Sequence, residues 1–316
     1  TLVATFFVVL GFALLFLSLE NKKLKFLIPG VILLTISYFM YFTPRVFVPL
    51  LLLAVIFYLF SLWEKQRNTK YRNFLLGLSV FLGILSFFLV FVTRGGGDRF
   101  KQVSIFGAPG TRLVMEEQIR EDGLAKTPVK ITQTFHNKII NYSLSYVSNY
   151  IDYFSGKFLF IDGGFPIWFR VEGVGMIYLI ELPFLLMGLL FLSTSKSKMH
   201  KIPLLWLFVA PLIAAITTDD IPNVRRSLIM FPIIEIISAF GFLYILQDRK
   251  RIKNALIVAF AAIVLIFNFL YFLHQYFVHA GIHRNWYRNE GFGEMIKTVK
   301  SSYENVDKII VTKDAG

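Results

Sequence analysis

Apolar runs about as long as a bilayer is thick alternate with short polar loops along this chain. They cover residues 2–19, 26–43, 46–63, 74–93, 175–193, 202–217, 227–246 and 254–274. Most approach the ~20 residues that a helix needs to cross a hydrocarbon core of about 30 Å. Every second loop is basic: Lys22, Lys23 and Lys25; Lys65, Arg67, Lys70 and Arg72; Lys196, Lys198 and Lys201; Arg249, Lys250, Arg251 and Lys253. The positive-inside bias assigns these four loops to the cytoplasm. The pattern predicts an all-α polytopic membrane protein of eight transmembrane helices, spanning 1–274, whose chain starts and finishes outside.

One connection breaks the rhythm. The extracytoplasmic loop 94–173 is long enough to hold structure of its own, with helices predicted near 111–122 and 136–155. The second carries Ile139, Tyr142, Tyr146, Tyr150 and Phe154 at helical spacing. A ninth crossing here would turn the Lys196–Lys201 loop outward, so parity excludes it. A tyrosine-rich helix in the outer interface fits both composition and topology; an ordinary surface helix in a globular insert is the alternative. Beyond the last span, a helix at about 290–303 and a strand at Asp307–Thr312 predict the start of a small extracytoplasmic α/β domain over 275–316. Thr1 already lies in an apolar run and Gly316 follows directly on that strand, so the chain reads as an internal portion of a longer protein.

Composition agrees with a membrane protein: 56% of residues are hydrophobic and mean hydropathy is +0.62. The formal charge of +13 is mostly topological, because the four basic loops hold 14 Lys and Arg against Glu20, Glu64 and Asp248. Contact with anionic headgroups follows, at about 1 kcal/mol per basic residue near the surface. Nucleic-acid binding does not. The chain has no Cys, which excludes disulfides, thiol catalysis and cysteine-held metals.

The short outer connections carry the candidate chemistry. Arg45 opens the third span, and Asp219-Asp-Ile-Pro-Asn-Val-Arg-Arg226 joins the sixth to the seventh. Arg45, Arg225 and Arg226 oppose the inside-positive bias, and guanidinium is the fork suited to phosphate. Snorkelling to lipid phosphates, or pairing with Asp219 and Asp220, would equally place them there. Glu181 and Glu235 lie within spans, each near a proline. They read as a cavity lining or proton-linked site, or as protonated inter-helix glue. His279 and His283 have ligand spacing, but no supporting carboxylate accompanies them and no metal is expected.

Several segments together resemble a known family. They are Ser37-Tyr-Phe-Met-Tyr-Phe-Thr-Pro-Arg-Val-Phe-Val-Pro-Leu50, Gln102-Val-Ser-Ile-Phe106, Glu116-Glu-Gln-Ile-Arg-Glu-Asp-Gly123 and Phe135-His-Asn-Lys138. Phe158-Leu-Phe-Ile-Asp-Gly-Gly164, Gly175-Met-Ile-Tyr-Leu-Ile-Glu-Leu-Pro-Phe184, Asn223-Val-Arg-Arg226 and Lys308-Ile-Ile-Val-Thr-Lys-Asp-Ala-Gly316 follow. In this order and topology they resemble the family 39 membrane glycosyltransferases of GT-C architecture, the polyprenol-phosphate-mannose protein mannosyltransferase type, in a bacterial form with a long outer loop.

The resemblance implies a hexosyltransferase of the bacterial cytoplasmic membrane and cell envelope. It would move a sugar from a polyprenyl-phosphate donor to a protein or glycan acceptor on the outer face, with inversion. Arg45, Arg225 and Arg226 are then candidates for the donor phosphate, and His136, Lys138, Arg170, Asp219 and Asp220 for the substrate cavity. Asp219 and Asp220 do not match the family's catalytic Asp, which belongs to a first outer loop upstream of Thr1. This portion would then be inactive alone. Trp168-Phe-Arg-Val171 departs from an Arg-His-like pair, since no His follows Arg170. No cofactor is evident and metal dependence stays open. A transporter or flippase for a lipid-linked or anionic substrate is the alternative.

Overall fold

The computed structural model describes residues 1–21, 24–62, 69–89, 102–107, 109–197, 199–247, 251–280, 282, 291–303, 305–306 and 308–310. Much of the basic-loop sequence (Lys22, Lys23, Lys65, Arg67, Lys198, Arg249 and Lys250), Arg94–Arg99 and His283 lie outside these residues. Four helices come first: α1 (Leu2–Asn21), α2 (Leu24–Met40), α3 (Phe42–Leu62) and α4 (Thr69–Phe87). Three follow in the long loop: α5 (Pro109–Leu124), α6 (Val129–Phe135) and α7 (Lys138–Asp152). The second half holds α8 (Leu182–Thr194), α9 (Ile202–Val209), α10 (Phe231–Leu246), α11 (Arg251–His274) and α12 (Phe292–Ser302).

Apolar helices occupy all eight predicted positions, and among the described residues three stretches are long and apolar enough to cross a membrane: Met199–Ile216, Val224–Leu246 and Lys253–His279. Five more, over Leu2–Ser18, Lys25–Met40, Phe42–Tyr58, Leu76–Phe87 and Leu179–Thr194, are shorter. Length and composition among the described residues thus support three of the eight expected spans. The fifth position shows how a helix comes to be shorter than its apolar run. Residues 175–178 are not helical, and a tight turn at Leu179–Glu181 precedes α8, so the helix begins several residues later than its apolar run. The expected α/β tail finds no strand among the described residues. α12 stands where its helix was predicted, but Lys308–Ile310 pairs with none of the described residues. An extended segment needs a neighbour for its backbone groups, and the described residues contain only two isolated bridges and no strand. Asp307 and residues 311–316 lie outside the description.

Close backbone approach builds the two helix pairs with the most extensive contact, α1 with α2 and α8 with α10. A Cβ on Gly188 would collide with the Ile237 carbonyl oxygen, and one on Gly241 with that of Phe184. A Cβ on Gly30 would lie 3.0 Å from the Gly11 oxygen. Small residues at such seams allow the backbone contact on which helix packing in an apolar solvent depends. α8, α9 and α10 each carry a proline in the first turn (Pro183, Pro203 and Pro232), where the missing N–H would have had no partner anyway. Trp206 on α9 joins the halves. Its ring meets Phe12 of α1 at 5.2 Å and Phe47 of α3 at 5.3 Å, while its N–H donates to the Ile229 carbonyl at 2.9 Å.

Pro211 decides what happens at the far end of α9. It breaks the regular ladder, and the chain continues through two tighter turns, Ala210–Leu212 and Ala214–Ile216. Side chains of α7 take up the carbonyls along this stretch. Tyr150 donates to Phe208 at 2.9 Å and Tyr146 to Leu212 at 3.2 Å, while the Asn149 amide donates to Ala215 at 3.0 Å and Thr217 at 2.9 Å. Tyr146 and Tyr150 thus dock α7 against protein carbonyls. Asn137 caps α7 by accepting from Ile140 N–H, and this separates α7 from the preceding α6. The other faces of α7 leave Ile139, Leu144, Val147 and Ile151 exposed.

Candidate functional site

The loop Thr217–Arg226, which joins the α9 stretch to α10, is stitched to the long loop on both sides. On one side Ile105 N–H donates to the Ile216 carbonyl and Thr218 N–H to that of Val103, both at 2.8 Å. On the other, Phe165 N–H donates to Pro222 and Val224 N–H to Phe165, again at 2.8 Å. Gly164 makes the second approach possible. Its φ is +72°, and a Cβ there would stand 2.5 Å from the Pro222 oxygen, so only glycine fits without strain.

Beneath the loop lies Tyr153, fully buried, whose hydroxyl accepts the Asn223 N–H at 3.1 Å. Burial pushes the Tyr153 hydroxyl up to about 12, against smaller lowering effects of the Asn223 N–H and the Arg226 charge. Asn223 in turn accepts Arg226 N–H at 3.1 Å and caps the turn Val224–Ser227.

This frame positions three of the predicted arginines at one junction. Arg226 reaches back across its own loop, donating through Nη1 to Thr217 Oγ1 at 2.7 Å and to the Asp219 carbonyl at 2.8 Å. Arg225 is exposed and lies over the Phe169 ring at 4.9 Å. Arg170 packs its guanidinium over Phe165 at 6.0 Å and pairs with Asp162 at 3.6 Å. Asp162 also accepts the Gly164 N–H at 3.2 Å and meets Lys157 at 3.5 Å.

Other expectations are not met. Asp219 and Asp220 are exposed, and no ion pair joins either carboxylate to an arginine among the described residues. Arg226 takes the main-chain oxygen of Asp219 instead, because the guanidinium folds back inside the loop while the acidic side chains face out of it. Arg45 does not join the junction in any described contact. It donates to the Tyr38 carbonyl at 2.8 Å and that of Leu89 at 3.5 Å, tying the end of α2 to the chain beyond α4. His136 and Lys138 belong to another locus, the α6–α7 corner. There His136 meets Gln118 at 3.1 Å and Asp122 at 3.4 Å, and Lys138 is exposed.

The structure also joins two residues that the sequence presented separately. Glu181 and Glu235 line one cavity of about 240 Å³, together with Val174–Tyr178, Phe269 and Phe272. Their apolar runs gave each away as an ionisable group in a span, but not that α8 and α10 would meet face to face. His274 and His279 stack at 5.0 Å, and no group of three or more metal-binding side chains occurs among the described residues. Sequence reasoning missed Tyr153, Asn149 and Asn223, whose role is to satisfy buried backbone; no spacing rule would have picked them out.

No family model, curated protein or solved structure matches this chain.

Proposed function

We propose that the chain is part of a membrane glycosyltransferase that takes a sugar from a polyprenyl-phosphate donor and passes it to a protein or glycan acceptor outside the cytoplasmic membrane of a bacterium. The observation that carries this reading is the junction of Arg170, Arg225 and Arg226 at the end of an apolar helical bundle. Glycosyl transfer from such a donor releases a polyprenyl phosphate, and donors fixed in place around the departing phosphate stabilise the charge that develops on it. Arginine suits the task through its rigid fork. Arg225 reaches the ligand from the open side of the loop, whereas Arg226 sets the loop's shape and lends charge. In this reading all eight apolar helices cross the bilayer, the basic loops face the cytoplasm, and the junction lies at outer headgroup depth.

The test is sugar release from a panel of polyprenyl-phosphate donors by the full-length protein in vesicles. Arg225→Ala is expected to slow transfer by roughly 10²–10³-fold with the fold retained. Unchanged transfer removes Arg225 from the mechanism, and inactivity of the unaltered protein on every donor overturns the reading. A second reading, transport of a lipid-linked or anionic substrate, is favoured by one observation, the cavity with Glu181 and Glu235. Movement of a labelled carrier across vesicles without sugar transfer would select it.

A further inference from the structure

The Glu181–Glu235 cavity shares no lining residue with the arginine contacts and has a chemistry of its own. Glu181 is only 8% exposed. Its Oε1 accepts the Tyr178 N–H at 3.0 Å, while Oε2 is buried and makes no hydrogen bond among the described residues. Glu235 projects into the same cavity from α10, close enough for the two carboxyls to interact directly. The wall facing them is firmly held. Ile177 N–H donates to the Leu159 carbonyl at 2.9 Å, and Gly175 packs so tightly on Phe160 that a Cβ would collide with its backbone. Phe269 and Phe272 of α11 line it as well.

Two adjacent carboxylates with a buried, unmatched oxygen repel each other unless they share a proton or a positive charge comes between them. A divalent metal would want six or more oxygens, and the described residues offer no cluster of that kind. An ammonium group has three donors for the carboxyl oxygens and gains further from aromatic faces. We propose that this cavity binds a primary ammonium group, the head of a small organic cation, between Glu181 and Glu235 and against Phe269 and Phe272.

The site does not depend on the transferase reading. Ethylammonium chloride titrated calorimetrically into the full-length protein in nonionic detergent, against potassium chloride at equal ionic strength, tests it. Saturable one-site binding of ethylammonium is expected. Glu181→Gln and Glu235→Gln should each weaken it by about tenfold or more, and Phe272→Leu by a smaller factor with both carboxyls in place. Arg225→Ala should leave ethylammonium binding unchanged, which separates the site from the arginine junction. Absence of saturable heat in the unaltered protein, equal binding of potassium, or full binding in both Gln variants would each overturn the proposal.

Discussion

Polar groups enter this apolar bundle at two places, and the two are built in opposite ways. At the loop Thr217–Arg226 almost every inward polar group is answered: Asn223 by Tyr153, the Thr217 carbonyl by Asn149, the Asp219 carbonyl by Arg226. In the cavity, Glu181 Oε2 is buried and unanswered among the described residues, with a second carboxyl beside it. Satisfied polar groups rigidify a structure, whereas an unsatisfied charged one costs stability that only a ligand or a proton can return. The first place is therefore a scaffold that holds arginines in position, and the second is a pocket fitted to a cation.

Substitutions should separate the two regions by stability. Gly164→Ala carries the largest expected cost, about 3 kcal/mol or more, since backbone strain and overpacking against Pro222 and Phe158 each contribute on the order of 1–3 kcal/mol. A denaturation midpoint close to that of the unaltered protein would refute the stitched loop.

Tyr153→Phe comes next, at about 1–3 kcal/mol, because it leaves the buried Asn223 N–H unpaired. The same substitution has a pH signature. With its hydroxyl pushed up to about 12 in the fold, Tyr153 stays neutral where an unfolded tyrosine ionises near 10. The unfolded state then holds fewer protons, so the contribution of Tyr153 to stability is full below about pH 10 and falls as pH rises toward about 12. Unfolding profiles should show a shallower decline over that window in Tyr153→Phe than in the unaltered protein.

Asn149→Ala should cost about 1–2 kcal/mol by abandoning two carbonyls, readable as faster hydrogen exchange along Ala214–Thr218. Smallest of all is Glu181→Gln, expected within about 1 kcal/mol of neutral or slightly stabilising, since it removes a buried charge. A loss as large as that of Tyr153→Phe would mean that Glu181 belongs to the scaffold after all.

Apolar periodicity located the helices well, because a run such as Ala255–Leu273 has no better way to satisfy its backbone than a helix. The same signal misplaced the start of one helix: at α8 the apolar run begins ahead of Leu179, yet those residues serve as cavity wall and leave the helix short. The helix predicted around 136–155 stands at Lys138–Asp152, with protein partners for Tyr146 and Tyr150 that the sequence did not show. Tyrosines at helical spacing look alike whether they face headgroups or carbonyls, and the choice was made far along the chain by Pro211, which opens the ladder of the α9 stretch. The strand read at Asp307–Thr312 had the composition for pairing and, over Lys308–Ile310, no neighbour to pair with among the described residues.

Residue chemistry read from the chain alone was enough to locate the apolar helices, to mark the chain as a helical membrane protein, and to single out arginines that stand outside the basic loops. Those properties depend on composition and on local spacing, which a linear pattern contains. Which arginines border one loop, that Arg226 binds its own loop in place of the Asp219 or Asp220 carboxylate, that Arg45 bonds elsewhere, and that Glu181 and Glu235 share one cavity were decided by tertiary structure. Each is a contact between segments distant in sequence or a choice between a side chain and a backbone oxygen, and it is the packing of glycine-lined helices and stitched loops that makes those choices.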